Sequence, residues 1–304
     1  MKQKFFALLI LACFFVFLTF PKQTLNGASQ GLLLWFQIVI PTLLPFFVLT
    51  SLMIYSHAIS LFNKLLGTWI GYIFRVSSHG SFAVICGFLC GYPVGAKVTV
   101  DLLNTKKITL SEAKYLLSFC NNTSPVFITS YIVLQCFQEE ALLLPTILLT
   151  YLSPIICSFI FRKFYPKPNP TVQLIGSTSF QFDFVMLDDC IMSAFESITK
   201  IGGYIILFSI FFELGELLPI PWLLPILEIT NGIPYILKRH YLFAEYYPLT
   251  LALTSFGGLC SIAQTNSIIK DSPLSIWTYT IQKLITTMVT SLLALLYVII
   301  LHHQ

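Results

Sequence analysis

The residues that could do chemistry in this chain are few, and they stand in apolar surroundings. Glu196 and Lys200 are four apart, in the Glu-before-Lys order that pairs on one helix face. Gln282 and Lys283 lie well inside the last apolar run. Asn121, Asn122, Thr123, Ser124 and Pro125 follow one another at the middle of another. A glycine-rich string holds Gly91, Tyr92, Pro93, Gly95 and Lys97, and a second holds Gly257 and Gly258, then Gln264, Thr265 and Asn266. A charge at the centre of a membrane helix costs about 2.5–3.5 kcal/mol on insertion scales, so each implies a partner or a polar cavity. Two chemistries fit: a substrate or ion site, or a structural lock between spans. The amides could recognise a neutral polar ligand or only bond neighbouring helices, and Lys97 could meet an anion.

Other signals are weak. The eight cysteines lie in or beside apolar runs, and none repeats a zinc spacing. Cys86 and Cys90, one turn apart, leave a thiolate site conceivable, but small packing residues are the simpler reading. His57, His79 and His240 fall in loops, and His302 and His303 end the chain. The glycines match neither a phosphate loop nor a dinucleotide fingerprint. No H-E-x-x-H or G-x-G-D occurs, and no histidine accompanies the intramembrane Ser, Thr and Cys residues, so an enzyme, a metal centre and a cofactor are not expected. The net charge of +4 is scattered over short loops, which argues against nucleic acid as a partner.

These side chains need elements to hold them. Hydrophobic residues make up 56% of the chain and charged residues 10%, against about 25% charged in soluble domains. The expected fold is an all-α polytopic transmembrane bundle, with the lipid bilayer as its principal partner. Residues 1–30 hold Lys2, Lys4 and an apolar run, the form of a signal-anchor helix with no evident cleavage site. Residues 31–165 form a first transmembrane repeat, with spans over about 31–55, 113–136 and 141–161. Residues 81–100 are too rich in glycine and proline for a regular helix and suggest a re-entrant hairpin. Residues 166–189, carrying Pro166, Pro168 and Pro170, suggest a cytoplasmic linker. Residues 190–304 form a second repeat, with spans over about 191–212 and 276–301, a proline-punctuated segment at 217–237 and a broken segment at 249–269.

Placed side by side, the halves put Trp35 opposite Ala194, residues 87–97 opposite 257–267 and Asn121 opposite Lys283. With the N-terminus inside, the basic residues Lys64, Arg75, Lys97, Lys106, Lys107, Lys114, Arg162, Lys163 and Lys167 face the cytoplasm, while Glu139, Glu140, Glu213 and Glu216 fall outside. Lys22, Lys238, Arg239 and Lys270 are the exceptions. This order gives two inverted-topology repeats, each with a broken or re-entrant segment, an architecture common among secondary transporters.

The strings GFLCGYPVGAKVTVDLL and SEAKYLLSFCNNTSPVFI resemble the YlbJ-type sporulation integral membrane proteins, as do ITKIGGYIILFS, LEITNGI and LTSFGGLCSIAQTNSI. The resemblance implies kinship with proteins carrying the nucleoside-recognition Gate domain, a bacterial cell membrane (mother-cell or forespore) and a part in making the spore envelope or cortex. Its signature positions here are Gly91, Tyr92, Pro93, Gly95, Lys97, Asn121, Asn122, Ser124 and Pro125, then Gly202, Gly203, Glu228, Gly257, Gly258 and Gln264. Two functions compete. One is a transporter- or gate-like protein for a small polar or anionic solute, with Glu196, Lys200 and Lys283 supplying charge and Asn121, Asn122 and Gln264 reading the ligand. The other is a non-transporting scaffold that recruits spore-envelope proteins, as a homo-oligomer or otherwise. The topology is open to test: a cysteine introduced as Lys106→Cys is expected to resist an impermeant thiol reagent added outside cells, and labelling from that side overturns the assignment.

Overall fold

A computed structural model describes residues 2–56, 58–62, 64, 67–165, 183–219, 221–239 and 241–302. The prolines and most of the stretch expected as a linker (166–182), with Lys167, His57, His240 and His303, lie outside the described residues. Within them the regular secondary structure is all helical. Four helices are long and apolar enough to cross a membrane: Pro21–Tyr55, Glu140–Phe161, Phe184–Gly215 and Ile276–Leu301. A bent pair, Thr68–Phe74 with Ser78–Leu89, would make a fifth.

Helix α1 (Lys2–Thr19) stops at Phe20, because Pro21 has no N–H to continue the ladder and instead opens α2 (Pro21–Leu34) from its first turn. The first apolar run thus ends as a helix at residue 20. A π-helical turn, Trp35–Val39, joins α2 to α3 (Ile40–Tyr55). The sequence suggests that Pro41 and Pro45 interrupt this span. Instead, the wide turn comes just before Pro41 and carries the helix past the missing donor.

Short helices α4 (Ala58–Phe62) and α5 (Thr68–Phe74) lead to the expected hairpin. Its arms are α6 (Ser78–Leu89) and α7 (Val94–Asn104), joined by a turn with Gly91 at φ 85° and a cis Tyr92–Pro93 bond. Next comes a broken span: α8 (Leu110–Phe119), an extended segment at 120–124 and a π-helical stretch, Phe127–Phe137. Helix α9 (Leu143–Phe161) closes the half.

The second half repeats this order. Helix α10 (Phe184–Gly215) begins five residues before the expected end of the linker, capped by the Asp183 carboxylate, which accepts from Val185 N at 3.2 Å. A small hairpin, α11 (Leu224–Leu227) and α12 (Ile229–Leu237), turns at Glu228. Helices α13 (Phe243–Phe256) and α14 (Gly258–Ile269) form a second broken span, cut at Gly257, and α15 (Ile276–His302) closes the half. The correspondence therefore differs from the one suggested by sequence. Hairpin α6–α7 matches hairpin α11–α12, and the break at 120–124 matches the break at Gly257. The small hairpin is hidden in sequence because α11 is only four residues long and looks like a proline-interrupted apolar run.

The halves run in opposite directions. Along α2 and the π turn, Gly27 lies against Ile210, Gly31 against Ile206, and Trp35 Nε1 donates to the Ile198 carbonyl at 3.0 Å. As one helix rises the other descends. Two further contacts exchange in pairs: α7 packs on α14 as α12 packs on the π-helical stretch, and α8 packs on α15 as α13 packs on α9.

The first hairpin grips the first break closely. A Cβ added at Gly87 or Gly95 would stand 1.7 or 1.8 Å from the Cys120 carbonyl oxygen, so both arms require glycine where they pass it. Gly95→Val is expected to cost more than the usual overpacking penalty of about 1–3 kcal/mol, read as a loss of folded protein in detergent. Gly203→Ala, where nothing lies within 4 Å, is expected to leave thermal unfolding unchanged or slightly raised.

Candidate functional site

The two hairpin tips and the two breaks converge. Gly91 sits against Ser124, with 2.9 Å between a hypothetical Cβ and the serine Cβ. Gly258 sits against the second tip, its hypothetical Cβ 3.2 Å from the Ile226 carbonyl oxygen. Tyr92 reaches across from the first tip to Gly257, whose left-handed φ of 83° cuts the second broken span. Between these tips and the scaffold helices α2, α3 and α10 lies a cavity of about 420 Å³. One side is apolar, with Val39, Leu43, Ile201 and Ile205. The other carries Tyr92, Thr123, Ser124, Glu228, Ser261 and Gln264.

Glu228 is the only charged side chain on this wall among the described residues, and it is 4% exposed. One carboxylate oxygen, Oε2, accepts from Asn231 N at 2.9 Å and from Thr230 Oγ1 at 2.5 Å, so the side chain also starts helix α12. Tyr131 donates its hydroxyl to the Thr230 carbonyl and ties the same tip to the π-helical stretch. No Lys, Arg or His among the described residues lines the cavity. The Tyr92 hydroxyl is buried with no hydrogen-bond partner among the described residues.

Behind the cavity lies a buried polar layer that supports the first break. Lys283, 3% exposed, donates to the Asn121 carbonyl at 2.6 Å and approaches Asn122 Oδ1 at 3.5 Å. Asn121 Nδ2 donates to Tyr279 Oη at 2.8 Å and to Thr265 Oγ1 at 3.1 Å, which binds the first break to α14 and α15. Asn122 Nδ2 caps α8 through the Phe119 carbonyl at 2.7 Å. Tyr151 donates to the Thr123 and Phe88 carbonyls at 2.7 and 2.9 Å, and Thr123 Oγ1 donates to the Thr254 carbonyl at 2.7 Å. The carbonyls of Phe119, Asn121 and Thr123 are thereby paired within protein, as depth in a membrane demands.

The residues singled out by sequence thus divide. Gly91, Tyr92, Ser124, Gly257 and Gln264 line the cavity, while Asn121, Asn122 and Lys283 form the layer behind it. Pro93, Gly95 and Gly258 shape the hairpins and their contacts. Lys97 lies elsewhere: it pairs with Asp101 at 3.1 Å, reaches Ser193 Oγ at 3.4 Å, and borders a separate cavity of about 350 Å³ that Asp189 also lines. Glu196 and Lys200 do not join the site. They satisfy each other at 2.5 Å on an open face of α10, with side chains 68% and 40% exposed. Asn266 is exposed on α14. Among the described residues no cluster of His, Cys, Asp and Glu is arranged for a metal ion. Glu228 is the central addition: its chemistry is hidden in an apolar, proline-rich stretch, and only the family signature marks it.

No family model matches the chain, and no solved structure matches it. Among curated proteins it is similar to the sporulation integral membrane protein YlbJ of Bacillus subtilis (strain 168), with 26% identity over 323 aligned positions. The alignment covers 91% of this chain and 79% of that protein. The chain is an integral membrane protein, and this likeness supports the resemblance to the YlbJ-type sporulation proteins.

Proposed function

We propose that this protein binds a small polar solute in the central cavity and passes or gates it across a membrane of the sporulating cell, in support of spore envelope or cortex formation. The observation that carries the reading is the cavity itself, bounded by two hairpin tips and two broken spans. Inverted halves with interrupted helices at the binding site are the form in which secondary transporters build alternating access. A volume of about 420 Å³ falls within the usual range for small-molecule sites. The Gate-type kinship suggested by the sequence strings belongs to the same reading. No covalent step is part of it, and the protein acts as a binder and gate, not as an enzyme.

Electrostatics narrows the solute. A buried carboxylate with no base on the cavity wall favours a ligand that brings hydrogen-bond donors or positive charge, and it repels an anion. The anionic option suggested by Lys97 loses its ground, because that ammonium is paired with Asp101 outside the cavity. Amines, polyols and nucleosides fit; dicarboxylates do not.

The test is a screen of purified protein in liposomes against amines, polyols, nucleosides and dicarboxylates, read by thermal stabilisation and uptake. A donor-rich solute is expected to stabilise the protein. Glu228→Gln keeps an acceptor for the α12 cap but removes the charge. It should weaken binding about ten- to a hundredfold, in line with roughly 1.5–3 kcal/mol for a hydrogen bond to a charged group. Full sporulation with Glu228→Gln, together with no stabilising solute, would favour the scaffold alternative.

A further inference from the structure

Lys283 is a buried lysine with no carboxylate beside it among the described residues. The ion pairs among the described residues are Lys97–Asp101 and Lys200–Glu196, and neither involves it. Its ammonium instead faces oxygens of a cut helix: the Asn121 main-chain carbonyl at 2.6 Å and the Asn122 side-chain carbonyl at 3.5 Å. The Tyr92 ring centroid lies 6.0 Å away, within range of a cation–π contact. These oxygens follow directly on the C-terminus of α8, where the helix dipole and the last free carbonyls favour positive charge. A further acceptor on the same residue, Asn121 Oδ1, is buried with no hydrogen-bond partner among the described residues.

This is the ligand chemistry of a monovalent cation site. Unwound backbone carbonyls and half-helix C-termini are what hold sodium ions in transporters with broken helices. We infer that the Lys283 ammonium is a resident cation: it stands in for a dissociable sodium ion at the first break, so that the break keeps its shape without sodium and the cavity binds its solute independently of a sodium gradient. Lysine suits this place because its compact head, with three donors, sits on a long apolar stem that α15 can bury. The second half of the inference, sodium-independent solute binding, rests on the proposed function; the first half does not.

The test compares wild type, Lys283→Ala and Lys283→Met, purified as the full chain in detergent. Thermal unfolding is followed in choline, potassium, sodium and methylammonium chloride at equal ionic strength. The wild-type midpoint is expected to be the same in all four salts. Lys283→Ala should unfold roughly 5–10 °C lower in choline, as expected when buried carbonyls lose their donor in a chain of this size. It should regain at least half of that loss in methylammonium or sodium, which can enter the space vacated by the side chain. Lys283→Met fills that space with an apolar chain and should fall without recovery.

A wild-type midpoint that rises with sodium alone would overturn the inference, as would Lys283→Met as stable as wild type or Lys283→Ala deaf to both small cations. If Lys283→Ala fails to fold, the wild-type salt series and Lys283→Met still decide. A solute screen without hits would count against the proposed function and leave the salt series as the measure of the resident cation.

Discussion

A cut helix inside a membrane has no water to turn to, and the rest of this structure depends on how its freed backbone groups find partners. The break at 120–124 frees carbonyls at the end of α8. Lys283 from α15, Tyr151 from α9 and Asn122 from the break itself supply donors to three of them. Two of those donors come from the closing helices of the two halves, so the first broken span is not shaped by its own half alone. An orphaned carbonyl in such a place costs about 1–3 kcal/mol, which makes this polar layer a condition of folding as well as a floor for the cavity.

The same constraint accounts for the hairpins. Each tip brings backbone close to a break, and close approach excludes side chains at the crossing points. Gly87 and Gly95 meet the Cys120 carbonyl from two arms, and Gly258 meets the second tip from the opposite side. Where the tips and breaks come together, apolar packing cannot fill the volume. The result is a pocket with a greasy wall from α2, α3 and α10 and a polar wall from the tips and breaks. Glu228 is tolerated there because it also caps α12, which secures one carboxylate oxygen whether or not a solute is bound.

Much of this was legible from residue types. Glycine and proline in the middle of apolar runs marked the first hairpin and both breaks, because at membrane depth such residues interrupt the helix and leave backbone that only protein or a watery cavity can satisfy. The amides of Asn121 and Asn122 and the charge of Lys283 stood out because each is costly unless paired, and the fold pairs them. Charge alone misled at Glu196 and Lys200: two residues one turn apart can satisfy each other locally, and so carry no information about what lies across the bundle. Lys97 misled for the same reason, finding Asp101 one turn along α7. The second hairpin and Glu228 were invisible to periodicity, since an arm of four residues is shorter than any helical pattern can register. The correspondence between the halves needed three-dimensional contacts, because only the order of elements, and not their spacing, is kept.

The seam between α2 and α10 has a consequence for how the protein is made. Gly27 and Ile210 touch, yet they leave the ribosome 183 residues apart (the separation also spanned by the bond from Gln30 to Glu213). At about 5–20 residues per second that interval is on the order of ten to forty seconds. During it the α2 face is bare, and the carbonyl of Asn121, once made, waits for a lysine 162 residues further along the chain. Lipid, or whatever assists insertion, must shelter a half-built molecule for that time, and changes at the seam would be felt first in yield.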